Sequence, residues 1–186
     1  RIDGFLTERF GLQLPAERWA QLEARTGWSA GRTVSVFDQQ IEPLLNAHRI
    51  GGNCDAVILD FHGEATSEKM AMGHIVDGRV SLCVGTHTHV PTADAQVLPK
   101  GTAFQTDAGA CADYASVIGF DPGVPLTRFV QKIPAGKMEP ALGPATVCGV
   151  FVETDDRTGL ARRIEAVRTG GRLHPSIPKV EAEVPA

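Results

Sequence analysis

The chain has 186 residues, 42% of them hydrophobic and 22% charged, with a formal net charge of −4. That is enough apolar material for the core of one domain, and too acidic a balance for broad nucleic-acid binding, which calls for a basic surface. No apolar run approaches the length of a bilayer span and no signal peptide is visible. A cytoplasmic location is the first expectation, with an organelle interior (mitochondrial, after loss of a transit peptide) as the alternative.

Residues 1–36 read as a divergent opening segment. Within it Pro15 to Arg25 has the spacing of an amphipathic helix, with Pro15 in its first turn and Gly27 at its end. Phe5, Phe10, Leu14, Trp19 and Leu22 supply an apolar face, for packing on the chain's own domain or, in the sharper reading, for docking on a partner. Because the chain opens with Arg1 rather than Met, it reads as processed, truncated or one product of a split gene.

A main domain is expected over 37–173. A helix from Asp38 to Ile50, with Ile41, Leu44, Leu45 and His48 on one side, leads into a buried strand at 56–61. A helix from Thr66 to Ile75 follows, and Met70, Met72 and Ile75 give it an apolar surface. Strands are expected near 80–84 and 102–106, then a short helix from Leu126 to Ile133, stopped before Pro134. Thr146–Thr154 and Ala161–Arg168 flank Asp155-Asp156-Arg157-Thr158-Gly159, a strong hairpin signal. Beyond Gly170-Gly171, three prolines among acidic residues make 174–186 an extended tail. Cys54, Cys83, Cys111 and Cys148 have no Cys-x-x-Cys spacing and suggest a reducing compartment. Cys83 and Cys148 fall in apolar strands as small hydrophobes, whereas Cys111 lies in a loop.

The chemistry gathers where two strands stop. Val57-Ile58-Leu59 leads into His62, and Val80-Ser81-Leu82-Cys83-Val84 leads into Gly85-Thr86-His87-Thr88-His89. Ligands collect at the carboxyl ends of such strands. On an extended segment His87 and His89, two apart, would point to the same side. Together with His62 they could bind a transition metal such as iron, manganese or zinc. An isolated His-x-His is more often an ordinary solvated pair; the strand-end position and the third histidine raise it above that. Thr86 and Thr88 carry hydroxyls that could orient ligands or meet a phosphate oxygen. Asp60 and Glu64 are expected to hold the His62 ring by hydrogen bonds, and Asp94 and Asp107 to do the same for His87 and His89. His48, His74 and His174 read as packing or surface residues. No Ser-His-Asp set and no Gly-rich phosphate loop is recognisable.

Asp60-Phe61-His62-Gly63-Glu64-Ala65-Thr66-Ser67-Glu68-Lys69, followed by Gly85-Thr86-His87-Thr88-His89-Val90-Pro91-Thr92-Ala93-Asp94, resembles the YmdB-type metallophosphoesterases, a branch of the calcineurin-like superfamily. The likeness runs on through Leu98-Pro99-Lys100-Gly101-Thr102-Ala103, Thr106-Asp107, Ser116-Val117-Ile118-Gly119, Cys148-Gly149-Val150 and Asp155–Gly159, covering about 37 to 173. It implies an α/β fold, a sandwich of β-sheets flanked by helices, here lacking the family's N-terminal strands. It also implies two metal ions, iron or manganese in the first place and zinc as an option, that hydrolyse phosphodiesters, with cyclic nucleotides the favoured substrates.

By resemblance His62 and His87 belong to one metal and His89 to the other. The family's Gly-Asp, Asn-Gly-Glu-Asn and Gly-Asn-His motifs have no counterpart in residues 1–36, and Asp107-Ala108-Gly109-Ala110 stands where the family has a Gly-Met-Thr-Gly loop. Two expectations follow. One is a phosphodiesterase portion whose remaining ligands lie on another chain or were removed from this one. The other is an inactive, metallophosphoesterase-like subunit with a structural role in a larger assembly. Either predicts a protein partner or oligomer that completes the sheet.

Overall fold

The computed structural model describes residues 40–179. They fall into two units, one ending at His48 and one starting at Arg49. The expected opening helix around Pro15 lies outside the described residues.

In the first unit, helix α1 spans Glu42–Ala47 and buries Leu45. It ends three residues before the expected Ile50. His48 leaves the helix with an extended backbone, φ −120° and ψ 91°, and Leu44 on the supposed apolar side is exposed. At the start of the second unit the Gly51-Gly52-Asn53 turn makes helix impossible. The Asn53 side chain takes the Arg49 amide hydrogen at 2.8 Å, and the amides of Gly52, Asn53 and Cys54 all fold back on the Arg49 carbonyl.

The second unit carries strand β1 (Ile58–His62), helix α2 (Thr66–Val76), β2 (Leu82–Thr86), β3 (Gln96–Val97), β4 (Ala103–Gln105), β5 (Ala112–Asp113), helix α3 (Gly123–Gln131), β6 (Ala145–Thr154) and β7 (Ala161–Gly170). The strands make two sheets, ordered β1-β2-β4-β3 and β5-β6-β7. β1, β2 and β4 run parallel, as the α2 crossover requires, and β3 returns antiparallel. The two-residue strands β3 and β5 are too short to show a period of two, so the sequence carries no signal for them.

Alternation along the parallel strands builds three layers. Leu82, Val84 and Ala103 face the second sheet, where they pack with Ala161 and against Val150, Val152 and Ile164. The residues between them face α2. Phe104 lies under Gly73 so closely that a β-carbon there would come within 2.6 Å of its ring. Each large apolar side chain sealed in this way contributes roughly 1.5–3 kcal/mol. The arrangement is the expected α/β sandwich, read outward as helix, parallel sheet and antiparallel sheet.

The first strand departs from expectation. Instead of being buried, β1 has Ile58 69% exposed, and exposed residues alternate with half-buried ones along it. Among the described strands it pairs with β2 alone and forms the sheet edge, so only one side is sealed. Helix α3 begins three residues earlier than expected, where Asp121 accepts the Gly123 amide at 3.0 Å. It stops at Lys132, whose left-handed backbone (φ 54°) closes the last turn before Pro134. The β6–β7 hairpin forms as the turn motif predicts. Part of the expected tail is not free: Ser176 exchanges both backbone hydrogen bonds with Arg168 on β7. Among the described residues the four cysteines form no disulfide, with Cys83 and Cys148 buried and Cys111 exposed. Burial and, second, the Asp60 charge push the Cys83 thiol up to about 12, which leaves it an inert hydrophobe. Among the described residues no helix is long and apolar enough to cross a membrane.

Two outcomes test this layer. Gly85 on β2 has no room for a β-carbon, which would overlap the Thr106 carbonyl and come within 2.8 Å of Lys69 Cδ. Gly85→Ala should therefore cost more than about 4 kcal/mol, read as loss of the cooperative urea transition. In the hairpin turn, Asp155 is held down to about 2 by Arg162, the Thr158 amide and the Thr158 hydroxyl. Its folded value lies below the roughly 3.9 of an unfolded aspartate, so its contribution is present above pH ~4 and fades as pH falls toward 2. Urea midpoints of wild type and Asp155→Asn should differ at pH 6 and converge by pH 2.

Candidate metal centre

Parallel pairing in register, with His62 opposite Thr86, brings the ends of β1 and β2 together and sets His62 beside His87. The two rings meet edge to face, centroids 4.9 Å apart and planes at 80°. His62 Nε2 and His87 Nδ1 are 3.1 Å apart. The opposite nitrogens are tied to oxygens. His87 Nε2 lies 2.6 Å from Glu64 Oε2, and His62 Nδ1 lies 3.0 Å from Thr86 Oγ1, which donates its hydrogen to Asp60 Oδ1 at 2.9 Å. Glu64 orients His87 rather than His62, and Asp60 acts on His62 through Thr86. Glu64 is largely in water, so its bond aims the ring more than it stabilises the fold.

Counting hydrogens tests this chain of groups against a cation. Four hydrogen bonds between two terminal carboxylates need four hydrogens, and two neutral imidazoles with one hydroxyl bring three. The shortfall sits at the His62–His87 contact. Either a fourth hydrogen or a metal ion removes it; with an ion there, both facing nitrogens offer lone pairs while the three hydrogens satisfy Glu64, Thr86 and Asp60. Two nitrogens about 2.1 Å from one ion in adjacent positions stand roughly 3.0–3.4 Å apart, which includes the observed spacing. The donor set therefore suits one metal ion, with each imidazole backed by an oxygen as metal-bound histidines require.

His89 is placed differently. The expectation of an extended segment with both imidazoles on one side fails: φ is 119° at His87 and 64° at His89, so the chain bends sharply after β2. His89 Nδ1 donates to the Ile118 carbonyl at 3.0 Å, and only its Nε2 is left for a ligand. The Ala110 amide and the Tyr114 hydroxyl both donate to the His89 carbonyl. Positive φ in non-glycine residues is costly and persists only where neighbours enforce it. Among the described residues no three His, Cys, Asp or Glu side chains form a group that could hold an ion.

Asp107 and Asp94 do not touch the histidine rings as expected. Asp107 Oδ2 accepts from Lys69 Nζ at 3.0 Å and from the Thr88 amide at 2.8 Å, and Oδ1 takes the Gly109 amide at 2.9 Å. Burial would raise this carboxyl, but those amides, the ammonium and the Thr88 hydroxyl outweigh it and hold it below the usual range. Lys69 and Asp107 are each 1% exposed. Asp94 takes the amide and hydroxyl of Thr106, so it fastens the end of β4. Lys69, Ile118 and Tyr114 join the site without having been expected there. Lys69 and Ile118 fall in stretches that carry the family likeness, but no local pattern marked the contacts they make.

Parallel strands ending in histidines, covered by a helix on one face and an antiparallel sheet on the other, define a phosphoesterase-type α/β domain. Comparison with known proteins agrees. The model of the YmdB-like protein family matches residues 27–167, and the chain belongs to that family. It is 46% identical over 111 residues to the 2',3'-cyclic-nucleotide 2'-phosphodiesterase of Bacillus subtilis (strain 168), covering 60% of this chain and 42% of that protein. It is 42% identical over 120 residues to a putative phosphatase/phosphodiesterase of Mycoplasma pneumoniae, covering 62% and 41%. Among solved structures it is similar to a hypothetical protein from Thermus thermophilus, with TM-score 0.64 and 38% identity over 71% of this chain and 50% of that one. It is also similar to a novel phosphatase of Mycoplasma pneumoniae, with TM-score 0.66 and 37% identity over 75% and 48%. The chain thus spans half or less of the length of these relatives.

Removing one member of a buried ion pair leaves the other charge sealed away from water. Lys69→Met should cost about 3 kcal/mol, near the lower end for such a lesion because Thr88 and Gly109 still hold Asp107; the urea midpoint reads it.

Proposed function

We propose that this chain supplies the histidine side of a metal-dependent phosphodiesterase site, with cyclic nucleotides as the favoured substrate class. One observation carries the reading: the His62 and His87 nitrogens face each other at 3.1 Å while Glu64 and the Thr86–Asp60 relay hold the other side of each ring. His62 and His87 would hold one ion of iron, manganese or zinc, and His89 Nε2 would serve a second. Metal bound there lowers the pKa of a coordinated water toward neutrality and offsets charge on the phosphoryl oxygens. The residues of the chain itself aim and restrain. Glu64 and Asp60 keep both imidazoles in the tautomer that offers a lone pair, and the Ile118 carbonyl does so for His89.

Oxygen ligands suited to hard cations are expected from another chain. The substrate named for the Bacillus subtilis relative supports the cyclic-nucleotide class. A second reading, an inactive subunit with a structural role, draws support from the bend that sends His89 to Ile118.

Elemental analysis of the protein as purified, with whatever copurifies, separates the two. Metal that is lost in His62→Ala and His87→Ala supports the enzyme reading, and about two ions per copy would mean that the missing ligands are supplied. A folded wild type that takes up neither iron, manganese nor zinc at micromolar concentration would sink it.

A further inference from the structure

The buried pair Lys69–Asp107 has no place among the groups that could touch an ion, yet it ends on the amide joining His87 to Thr88. We infer that Lys69 and Asp107 are positioning residues that set the metal affinity of the histidine loop; this rests on the reading of His62 and His87 as ligands.

The geometry runs in one direction. Lys69 leaves α2, crosses β2 over Gly85, where there is no β-carbon to block it, and delivers its ammonium to Asp107 just past the end of β4. Asp107 Oδ2 accepts from that ammonium and from the Thr88 amide, and Oδ1 accepts from the amide of Gly109. The Asp107 main chain is itself fastened: its amide donates to Thr92 Oγ1 at 2.9 Å and its carbonyl accepts the Thr92 amide at 3.0 Å. One carboxylate therefore fixes the peptide immediately after His87, the residue with φ 119°. That peptide lies between the two histidines of the motif, so its direction sets where both imidazoles can point. Local contacts in the segment are the Thr88 hydroxyl bonds with Val90; the peptide after His87 is held by Asp107, the His89 carbonyl by the Ala110 amide and the Tyr114 hydroxyl, and Lys69 holds Asp107 in place.

A purely structural ion pair would show itself in stability alone. A positioning pair should change affinity even where stability is kept. The double variant Lys69→Met/Asp107→Leu removes both charges together, and exchange of a buried pair for apolar side chains of similar size is often close to neutral for folding. It leaves the Thr88 amide without its acceptor. Co²⁺, whose visible absorption reports nitrogen ligation, is titrated into the full chain as wild type, double variant, His62→Ala and, as a stability control on β7, Ile164→Val. Lys69→Met/Asp107→Val, which also lacks the acceptor, replaces the double variant should that one not fold.

The expected result is a fall in Co²⁺ affinity of about 10–100-fold, the usual effect of losing a group that orients a ligand, with a changed absorption spectrum. Ile164→Val should stay within about twofold of wild type. Equal affinity and an unchanged spectrum in the Asp107 variants, while His62→Ala loses binding, would overturn the positioning role and leave the metal site standing. Failure of wild type to bind Co²⁺, or undiminished binding by His62→Ala, would overturn the metal reading and this inference with it.

Discussion

The rest of the structure depends on one ionic contact in the interior, between Lys69 and Asp107. In dry surroundings the attraction of two such charges is strong, but stripping them of water costs a comparable amount, so the pair is poor evidence of net stability. What it does supply is direction. An ammonium and a carboxylate sealed at 1% exposure can be satisfied in few ways, and each way dictates where α2, the end of β4 and the loop after β2 must lie. Gly85 is the companion requirement, because any side chain there would strike both Thr106 and the lysine stem.

From that contact outward, the site reads as a set of rings held from behind. Each imidazole has one nitrogen given to oxygen: His87 to Glu64, His62 to Thr86 and on to Asp60, His89 to the Ile118 carbonyl. Holding a ring in this way removes rotational freedom and selects the tautomer before any ligand arrives. The strained backbone at His87 and His89 is the counterpart of the same design. Hydrogen bonds to Asp107 and from Ala110 and Tyr114 hold the loop in a conformation it would not choose alone.

The open parts of the molecule are its borders. β1, which carries His62, pairs with a single neighbour among the described strands, and Ile58 on it is largely exposed. Helix α3 presents Leu126, Phe129 and Val130 to water, Phe129 at 82% exposure. Edge strands and apolar helices left open are the usual places for further protein to dock. The part of this chain that aligns with its relatives covers half or less of their length.

Much of the fold was legible in the order of residues. The short apolar run Val80–Val84, the Asp155–Gly159 turn and the Thr66 start of α2 mark their elements because those signals act over a few neighbouring residues. The strand ends at His62 and His87 were legible for the same reason, and so was the family. Hidden were the contacts made across long stretches of chain: Lys69 to Asp107, His89 to Ile118, and the choice of Glu64 for His87 rather than His62. No local pattern predicts these, because each is decided by the register of β1 on β2 and by the packing of α2 over Gly85. The sequence by itself determined the α/β layering and the three histidines. Only the tertiary structure decided that two of them face each other and the third turns away, since a buried carboxylate from beyond β4 bends the backbone between them.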